Sequence, residues 1–397
     1  MSKSTSPQRL GLFGFGVVGQ GLYDVLHRTP GLQTEIARIC VKDPTKTRPL
    51  PASWFSFDRN ELLNDPSIDV IVELIDDADA AYEIVTTALR NGKAVVTANK
   101  RLIATRFQEL LDVQRETGQS LLYEASTCGS IPIIRNLEEY YDNDLLSRVE
   151  GIVNGTTNYI LSALHQPSSG GYTAALARAQ VLGFAESDPT LDVEAFDAAF
   201  KTTIIAAHAF GVVVDPRHIV RRGITSITPF DVAIAQQQSR TVKLLSRVQI
   251  HERGLSLQAL PALTLNSGPL ANINNEVNAI RLTAAFSDAQ LLVGKGAGGG
   301  PTASAVLSDI AALRYGYRYE YRKLGQTQRP VMSHDVETVV YVRGTNERIT
   351  SIPFSNIDVD HRSSQGRYVI GHVQLDALHK STAFEDTDTF IAVVPED

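Results

Sequence analysis

Near the middle of the sequence an acid and a lysine share one stripe of an apolar helix, and further acids crowd its approach. Glu186-Ser-Asp188-Pro-Thr-Leu-Asp192 leads into Val193-Glu-Ala-Phe-Asp197-Ala-Ala-Phe-Lys201 and on to His208-Ala-Phe-Gly211. From Ala195 onward nearly every face is Ala, Phe or Ile, which predicts a buried helix. Asp197 and Lys201 stand four residues apart, so their side chains meet on one face. A carboxylate and an ammonium on a buried helix are costly unless they pair or serve a site. An ordinary helix ion pair would account for those two charges alone. It leaves Glu186, Asp188 and Asp192 unexplained, and charges gathered in this way mark functional sites. Asp197 and Lys201 are therefore candidates for a catalytic carboxylate–ammonium pair.

The elements that must serve such a pair begin at the N-terminus. Arg9-Leu-Gly-Leu-Phe-Gly14-Phe15-Gly16-Val17-Val18-Gly19-Gln-Gly-Leu reads as a strand, a glycine turn and an amphipathic helix. Gly14 suits the tight turn, Gly16 lets backbone approach a pyrophosphate, and Gly19 permits close packing of helix on strand. The helix opening offers N–H groups and a positive dipole end to phosphates. A GxGxxG is weak by itself, but its surroundings strengthen it. Glu35–Val41 is the next predicted strand, and Asp69–Ile75 and Lys93–Thr97 are apolar runs separated by a helical segment, as in a parallel sheet. A dinucleotide-binding domain follows. An acid ending the second strand would hold the ribose diol of NAD, and a basic residue the extra phosphate of NADP. Lys42-Asp43-Pro-Thr-Lys46-Thr-Arg48 supplies both. Lys42 comes first, which favours NADP with NAD usable, although solvated loop charges beside Pro44 would look the same.

With 397 residues, 43% hydrophobic and 20% charged, the chain can bury more than one core, and two or three domains are expected. A net charge of −7 leaves no footprint for nucleic acid or an anionic membrane. No apolar run is long enough to span a bilayer, and the polar start from Met1 to Arg9 lacks a signal-peptide core. The two cysteines, Cys40 in a predicted strand and Cys128 beside a glycine turn, suggest reduced thiols. A cytoplasmic enzyme is expected.

Further segments are more specific. They are Val95-Val-Thr97-Ala-Asn99-Lys100, Tyr123-Glu124-Ala-Ser-Thr127-Cys-Gly129-Ser-Ile131-Pro, Gly151-Ile-Val-Asn154-Gly155-Thr156-Thr-Asn-Tyr, Leu182-Gly-Phe-Ala-Glu186-Ser-Asp-Pro-Thr-Leu-Asp192 and Gly294-Lys-Gly-Ala-Gly298-Gly-Gly-Pro. Together with the Asp197/Lys201 helix, and in this order from about Leu10 to Tyr319, they make the chain strongly resemble homoserine dehydrogenases.

The resemblance implies reversible reduction of L-aspartate-4-semialdehyde to L-homoserine with NADPH or NADH, a step toward threonine, methionine and isoleucine. Hydride transfer to an aldehyde builds negative charge on its oxygen, which a nearby ammonium can stabilise and then protonate. Lys201 matches the family lysine with that role, and Asp197 the acid beside it. Glu186 and Asp192 match partners for the substrate's ammonium and polar groups. Lys100, at a strand end where ligands of parallel sheets gather, matches a residue contacting nicotinamide and substrate and competes for the proton-transfer role. The resemblance also places Gly155 and Thr156 at the substrate, and Phe15, Val17, Val18, Thr97 and Gly298 with the glycine turn at the cofactor. Asn154 or Thr156 can cap the following helix, whose N–H groups suit a carboxylate. Carbonyls of Glu124, Thr127, Gly129 and Ile131 match a loop for sodium or another monovalent cation, a hard ion suited to oxygen. A homodimer is implied.

Two departures from the family pattern stand out. Asp76-Asp77-Ala-Asp79 replaces an expected glycine pair, and a carboxylate aimed at pyrophosphate would repel it, so these acids must turn away or bind ribose. About eighty residues follow the family core without the Pro-Gly-Val-Leu signature expected of a regulatory ACT domain. Strand-like runs such as Arg367–Val373 point to a β-rich appendage, with a divergent ACT-like module as one reading. Every matched motif lies upstream, so removing the tail from Val336 is expected to spare catalysis. The fold class is α/β: a doubly wound Rossmann-type cofactor domain over 1–145 and a mixed α+β substrate and dimerisation domain over 146–299. A helix over 300–320 returns to the cofactor domain, and the extension fills 321–397. Strands are predicted over Leu255–Leu265 and Val277–Phe286. The competing readings are a different amino-acid semialdehyde dehydrogenase, which if acylating would need Cys128 as nucleophile, and a non-catalytic cofactor-sensing relative. No kinase-sized segment precedes Gly14, so a kinase–dehydrogenase fusion is not expected.

Overall fold

The computed structural model describes residues 7–143, 145–166, 170–364 and 366–395. The first six residues of the polar start therefore lie outside the described residues. The chain divides into two compact units, one of Met1–Tyr140 with Lys295–Tyr321, the other of Tyr141–Gly294 with Arg322–Asp397.

In the first unit, β1 (Gln8–Phe13), β2 (Thr34–Cys40), β3 (Phe55–Ser56), β4 (Val70–Glu73), β5 (Ala94–Thr97) and β6 (Leu121–Leu122) form a sheet in the order β3-β2-β1-β4-β5-β6. Every pairing in it is parallel. This is the doubly wound dinucleotide-binding order, with its reversal between β1 and β4. All of β4 is buried, as befits a strand covered on both faces. The Val17–Arg28 helix turns Gly19, Leu22 and Leu26 inward, and the Gly299–Leu313 helix packs along it.

The second unit contains β7 (Leu146–Ile152), β8 (Val220–Arg221), β9 (Arg240–His251), β10 (Gly254–Leu265), β11 (Val277–Ala284), β12 (Gln290–Lys295), β13 (Glu337–Arg343), β14 (Asn356–Ser363), β15 (Gly366–Gln374) and β16 (Phe390–Val393). Their mixed sheet runs β12-β11-β7-β9-β10-β16-β13-β15-β14, with β8 on β10. The predicted strands at Leu255–Leu265 and Val277–Phe286 match β10 less its first residue and all of β11, which stops two residues earlier. Patterning did not reveal β9, because charged residues interrupt it. One of them, Lys243, is wholly buried and donates to Asn158 Oδ1, the Ile273 carbonyl and Asn274 Oδ1.

The tail, expected to be β-rich and to spare catalysis when removed, is built into the sheet of the second unit. Its strands, with short helices at Asn346–Thr350, Leu375–His379 and Thr382–Glu385, follow a β-α-β-β-α-β path in the antiparallel order β16-β13-β15-β14. This is the topology that an ACT-like module requires. β16 also pairs with β10 in parallel, at Ala262 and Val393, so the tail continues the central sheet. Val340, Val342, Val369 and Ile391 share one core with Ile152, Val220, Leu245 and Leu260.

Candidate active site

The helix bearing the acid and the lysine spans Phe196–Phe210, and all of it except Phe196 and Phe200 is buried. It opens from Ala195, whose φ of +61° lies in the left-handed region. For a residue with a Cβ such strain costs about 1–3 kcal/mol and persists where surrounding packing dictates it, often at functional sites. Lys201 Nζ lies 2.8 Å from Asp197 Oδ2 and donates to the Val153 carbonyl at 2.6 Å. The two side chains are 6% and 2% exposed, so solvent screens the pair little. Asn154 joins them: its Nδ2 donates to Asp197 Oδ2 at 2.9 Å and to Asp192 Oδ1 at 2.7 Å. Its Oδ1 accepts from Thr157 N at 2.9 Å, capping the Gly155–Leu164 helix. One amide thus fixes the Asp192 and Asp197 carboxylates against a helix N-terminus.

Other sequence candidates in this unit fall outside the cluster. Asn154, not Thr156, is the cap, and the Thr156 hydroxyl donates to the Phe184 carbonyl at 2.6 Å. Gly155 is crowded, since a Cβ there would stand 2.8 Å from the Glu276 carbonyl oxygen. Glu186 is exposed, and its carbonyl accepts from Gln180; its carboxylate does not enter the hydrogen bonds among Asn154, Asp192, Asp197 and Lys201. Asp188 spends its carboxylate on the Thr190 N–H and hydroxyl, a local turn.

In the first unit the cofactor candidates gather at the carboxyl ends of the strands. Gly14 has φ +91°, and a Cβ there would meet the Leu74 carbonyl oxygen at 2.7 Å. A Cβ on Gly19 would meet the Gly14 carbonyl oxygen at 2.6 Å, whereas one on Gly16 would meet nothing within 4 Å. Helix and strand thus close tightly behind a turn whose exposed outer face is open to a phosphate. Phe15 is buried against Phe55, and Val17 is exposed at the helix opening beside half-buried Val18. Gly298, with φ +108°, precedes Gly299, whose Cβ would lie 3.0 Å from the Val17 carbonyl oxygen, so it borders the same turn. Lys100 is the first residue of the Lys100–Thr117 helix, capped by Asn99. Lys42 is exposed after β2, while Asp43 is committed to Thr45, whose hydroxyl and N–H hold its carboxyl below the usual range. Arg48 donates to the carbonyls of Asp43 and Lys46. The acids that replace the glycine pair are partly resolved: Asp77 turns away to cap the Ala78–Arg90 helix, accepting from Asp79 and Ala80. Asp76 remains exposed.

The turn from Glu124 to Ile131 surrounds the short helix Ala125–Cys128 and is buried except at Ser130. Two of the four carbonyls proposed for a cation already accept internal hydrogen bonds, Glu124 from Thr127 and Ile131 from Ile133. Each oxygen keeps a second lone pair, so a carbonyl-ligated ion fits the chemistry of this turn. Side-chain metal chemistry does not, for among the described residues no three His, Cys, Asp or Glu converge on a point.

Sequence reasoning named only the carbonyl of Glu124 and missed the carboxylates buried behind this turn. The Glu124 carboxylate accepts from Ile134 N and Arg135 N, and Asp309 accepts from Glu124 N and pairs with Arg135 at 2.8 Å. Burial, with Asp309 nearby, pushes Glu124 up to about 7, and burial pushes Asp309 up to about 6. A carboxyl raised on folding contributes stability that is present below its unfolded pKa and lost as pH rises through its folded one. The first unit is therefore expected to unfold more easily as pH climbs from the ordinary carboxylate range past about 7. Emission of Trp54, the single tryptophan, reports that unit; a midpoint rising across the window would contradict the assignment.

Neither cysteine is in a disulfide; both are buried, and Cys128 has no exposed surface. Burial pushes the Cys40 thiol up to about 11. Neither resembles a reactive thiolate. Cys128→Ala is expected to keep turnover within about threefold in an assay without phosphate, since a cavity of this size costs stability rather than chemistry. Complete loss would instead favour acyl transfer through this thiol.

A doubly wound sheet with an open glycine turn, and a buried lysine–carboxylate pair fixed by Asn154, define a nicotinamide-dependent oxidoreductase. The family models match in two stretches, the homoserine dehydrogenase NAD-binding domain over 14–124 and homoserine dehydrogenase over 132–311. The chain is 37% identical to homoserine dehydrogenase of Bacillus subtilis over 314 residues, 77% of this chain and 72% of that protein. It is 38% identical to the enzyme of Mycobacterium tuberculosis H37Rv over 322 residues, 78% and 73% of the two chains. A homoserine dehydrogenase structure from Thiobacillus denitrificans superposes with a TM-score of 0.87 at 28% identity, covering 98% of this chain and 99% of that one. The chain belongs to the homoserine dehydrogenase family. Its reaction is the nicotinamide-dependent interconversion of L-aspartate-4-semialdehyde and L-homoserine.

Proposed function

We propose that the chain carries out this reaction with Lys201 as the proton donor in reduction and acceptor in oxidation, and with NADPH preferred over NADH. The observation that carries the reading is the buried 2.8 Å contact between Lys201 and Asp197, fixed by Asn154 and the Val153 carbonyl. Two of the ammonium's three N–H groups are directed by Asp197 and Val153, which leaves the third for a reacting oxygen. Low exposure strengthens that interaction as charge develops. Asp192, Asp197 and Lys201 sum to one negative charge, which suits a substrate bringing its own ammonium. The N-terminus of the Gly155–Leu164 helix suits its carboxylate.

The nicotinamide supplies the hydride when bound. Gly14, Gly16, Gly19 and the opening of the Val17–Arg28 helix are the residues that would hold its pyrophosphate, and Lys100 would border the ring, with buried Thr97 supporting its strand end from behind. For the ribose phosphate, the balance tips to exposed Lys42, because Asp43 is tied to Thr45. A monovalent cation on the carbonyls of Glu124, Thr127, Gly129 and Ile131, and a homodimer, complete the proposal. Following NADPH and NADH absorbance with aspartate semialdehyde, and with homoserine in reverse, tests it. Turnover with both substrates and a lower KM for NADPH are expected. A lower KM for NADH would overturn the Lys42 assignment, and no turnover in either direction would overturn the whole reading.

A further inference from the structure

Glu73 ends β4 and has no exposed surface. It lies where β4 adjoins β1, the point at which the order of the parallel sheet reverses. Ligands of such sheets bind outside the carboxyl ends at this point. Both carboxylate oxygens are engaged: Oε1 accepts from Ile75 N at 2.6 Å and Oε2 from the Thr97 hydroxyl at 2.5 Å. Thr97 Oγ1 accepts in turn from Asn99 N at 3.0 Å. Asn99 Nδ2 closes the ring by donating to the Ile75 carbonyl at 3.1 Å, and its Oδ1 caps the helix that opens at Lys100. An acid buried among neutral donors is held at a cost, and merely joining two turns would not need a charge.

We infer that Glu73 is a positioning residue for the nicotinamide end of the cofactor, acting through the Thr97 hydroxyl on the Ile75–Asp77 and Asn99–Lys100 strand ends. The inference rests on the proposed place of Lys100 beside the nicotinamide. Its physical content is the direction of one hydroxyl. With Glu73 ionised, the Thr97 O–H points at the carboxylate. With Glu73 protonated, the carboxyl O–H points at Thr97, and the threonine proton must turn to another acceptor. Burial first, then Asp76 on the same turn, pushes the Glu73 carboxyl up to about 7, so both states are populated in the working range. The flanking strands present Phe13 and Thr97 to Glu73, and the helix after Asn99 begins with Lys100.

The test is NADH binding by full-length protein as a function of pH, read from cofactor fluorescence. NADH is the probe because the extra phosphate of NADPH titrates in the same range. A redirected hydrogen bond is worth about 0.5–1.5 kcal/mol, so the Kd should change roughly two- to tenfold across an inflection near 7. Glu73→Gln copies the protonated form, with its amide donating to Thr97. It should bind with a flat Kd equal to the low-pH plateau of the natural chain. Thr97→Val, which keeps the acid but removes the relay, should also be flat and decides the matter if the glutamine variant fails to fold. A purely structural role would lower the Trp54 unfolding midpoint and leave the inflection in place. An inflection that survives in either folded variant overturns the inference. Lys100→Ala with unchanged NADH binding and turnover would instead overturn the Lys100 reading, while the Glu73→Gln comparison still stands.

Discussion

Replacing Lys201 with alanine is expected to reduce turnover about 10²–10⁴-fold, the usual contribution of a general acid, while NADPH still binds normally. The asymmetry follows from position. Lys201 belongs to the second unit, whereas the glycine turn and the strand ends that would hold the cofactor belong to the first. The ammonium matters most when the carbonyl oxygen acquires charge, so its removal should lower kcat and kcat/KM together rather than raise KM alone. It also leaves Asp197 buried without its cation, which costs several kcal/mol unless the carboxyl takes up a proton. The variant should therefore unfold earlier than the natural chain, and turnover must be measured on protein shown to be folded. Steady-state kinetics and NADPH titration check both parts. A loss below about tenfold would transfer the proton-handling role to Lys100 or water.

Ending the chain before Val336 is expected to abolish the fold of the second unit rather than trim a regulatory tail. Val340, Val342, Val369, Val373, Ile391 and Val393 are at most 4% exposed and share a core with Ile152, Leu245 and Leu260. Full burial of each such side chain is worth about 1.5–3 kcal/mol, and a whole domain has about 5–15 kcal/mol to spare. Removing β16 would also strip β10 of a partner strand, leaving an apolar edge open to aggregation. Loss of solubility, or of a cooperative urea transition, is the expected outcome. A soluble, cooperative and active truncated chain would show that the tail packs on a core that stands without it. Threonine inhibition of the full chain is a separate measurement, and the β-α-β-β-α-β path alone does not imply it.

The cofactor sheet was legible in the sequence because its signals are local. The glycine spacing from Gly14 to Gly19 and the apolar runs at β2, β4 and β5 each fit within a short window. The Asp197/Lys201 pair was legible for the same reason, since one helical turn brings the two together. Long-range partners were not. Asn154 could be seen only as a possible cap, because nothing local shows that its amide reaches Asp192 and Asp197, some forty residues away. Glu73 looked like the end of an apolar strand, and Glu124 like a turn residue, until the fold buried their carboxylates. In β9, Lys243 broke the apolar pattern; its buried ammonium is satisfied by loops and a helix remote in sequence. The tail's helices are too short to show a period, and β14, Asn-Ile-Asp-Val-Asp-His-Arg-Ser, is an exposed edge with the polarity of a loop.

The central claim, that the ammonium of Lys201 delivers the proton, is tested most directly by single-turnover reduction of aspartate semialdehyde at saturating NADPH. Lys201→Ala and Lys100→Ala are compared with the natural chain, and a cooperative urea transition followed by circular dichroism confirms that both units of each are folded. The account predicts that Lys201→Ala falls about 10²–10⁴-fold, and that Lys100→Ala loses less turnover and mainly weakens nicotinamide binding. The reverse ranking, with Lys100→Ala slow at saturating cofactor and Lys201→Ala within about tenfold of the natural rate, would contradict it.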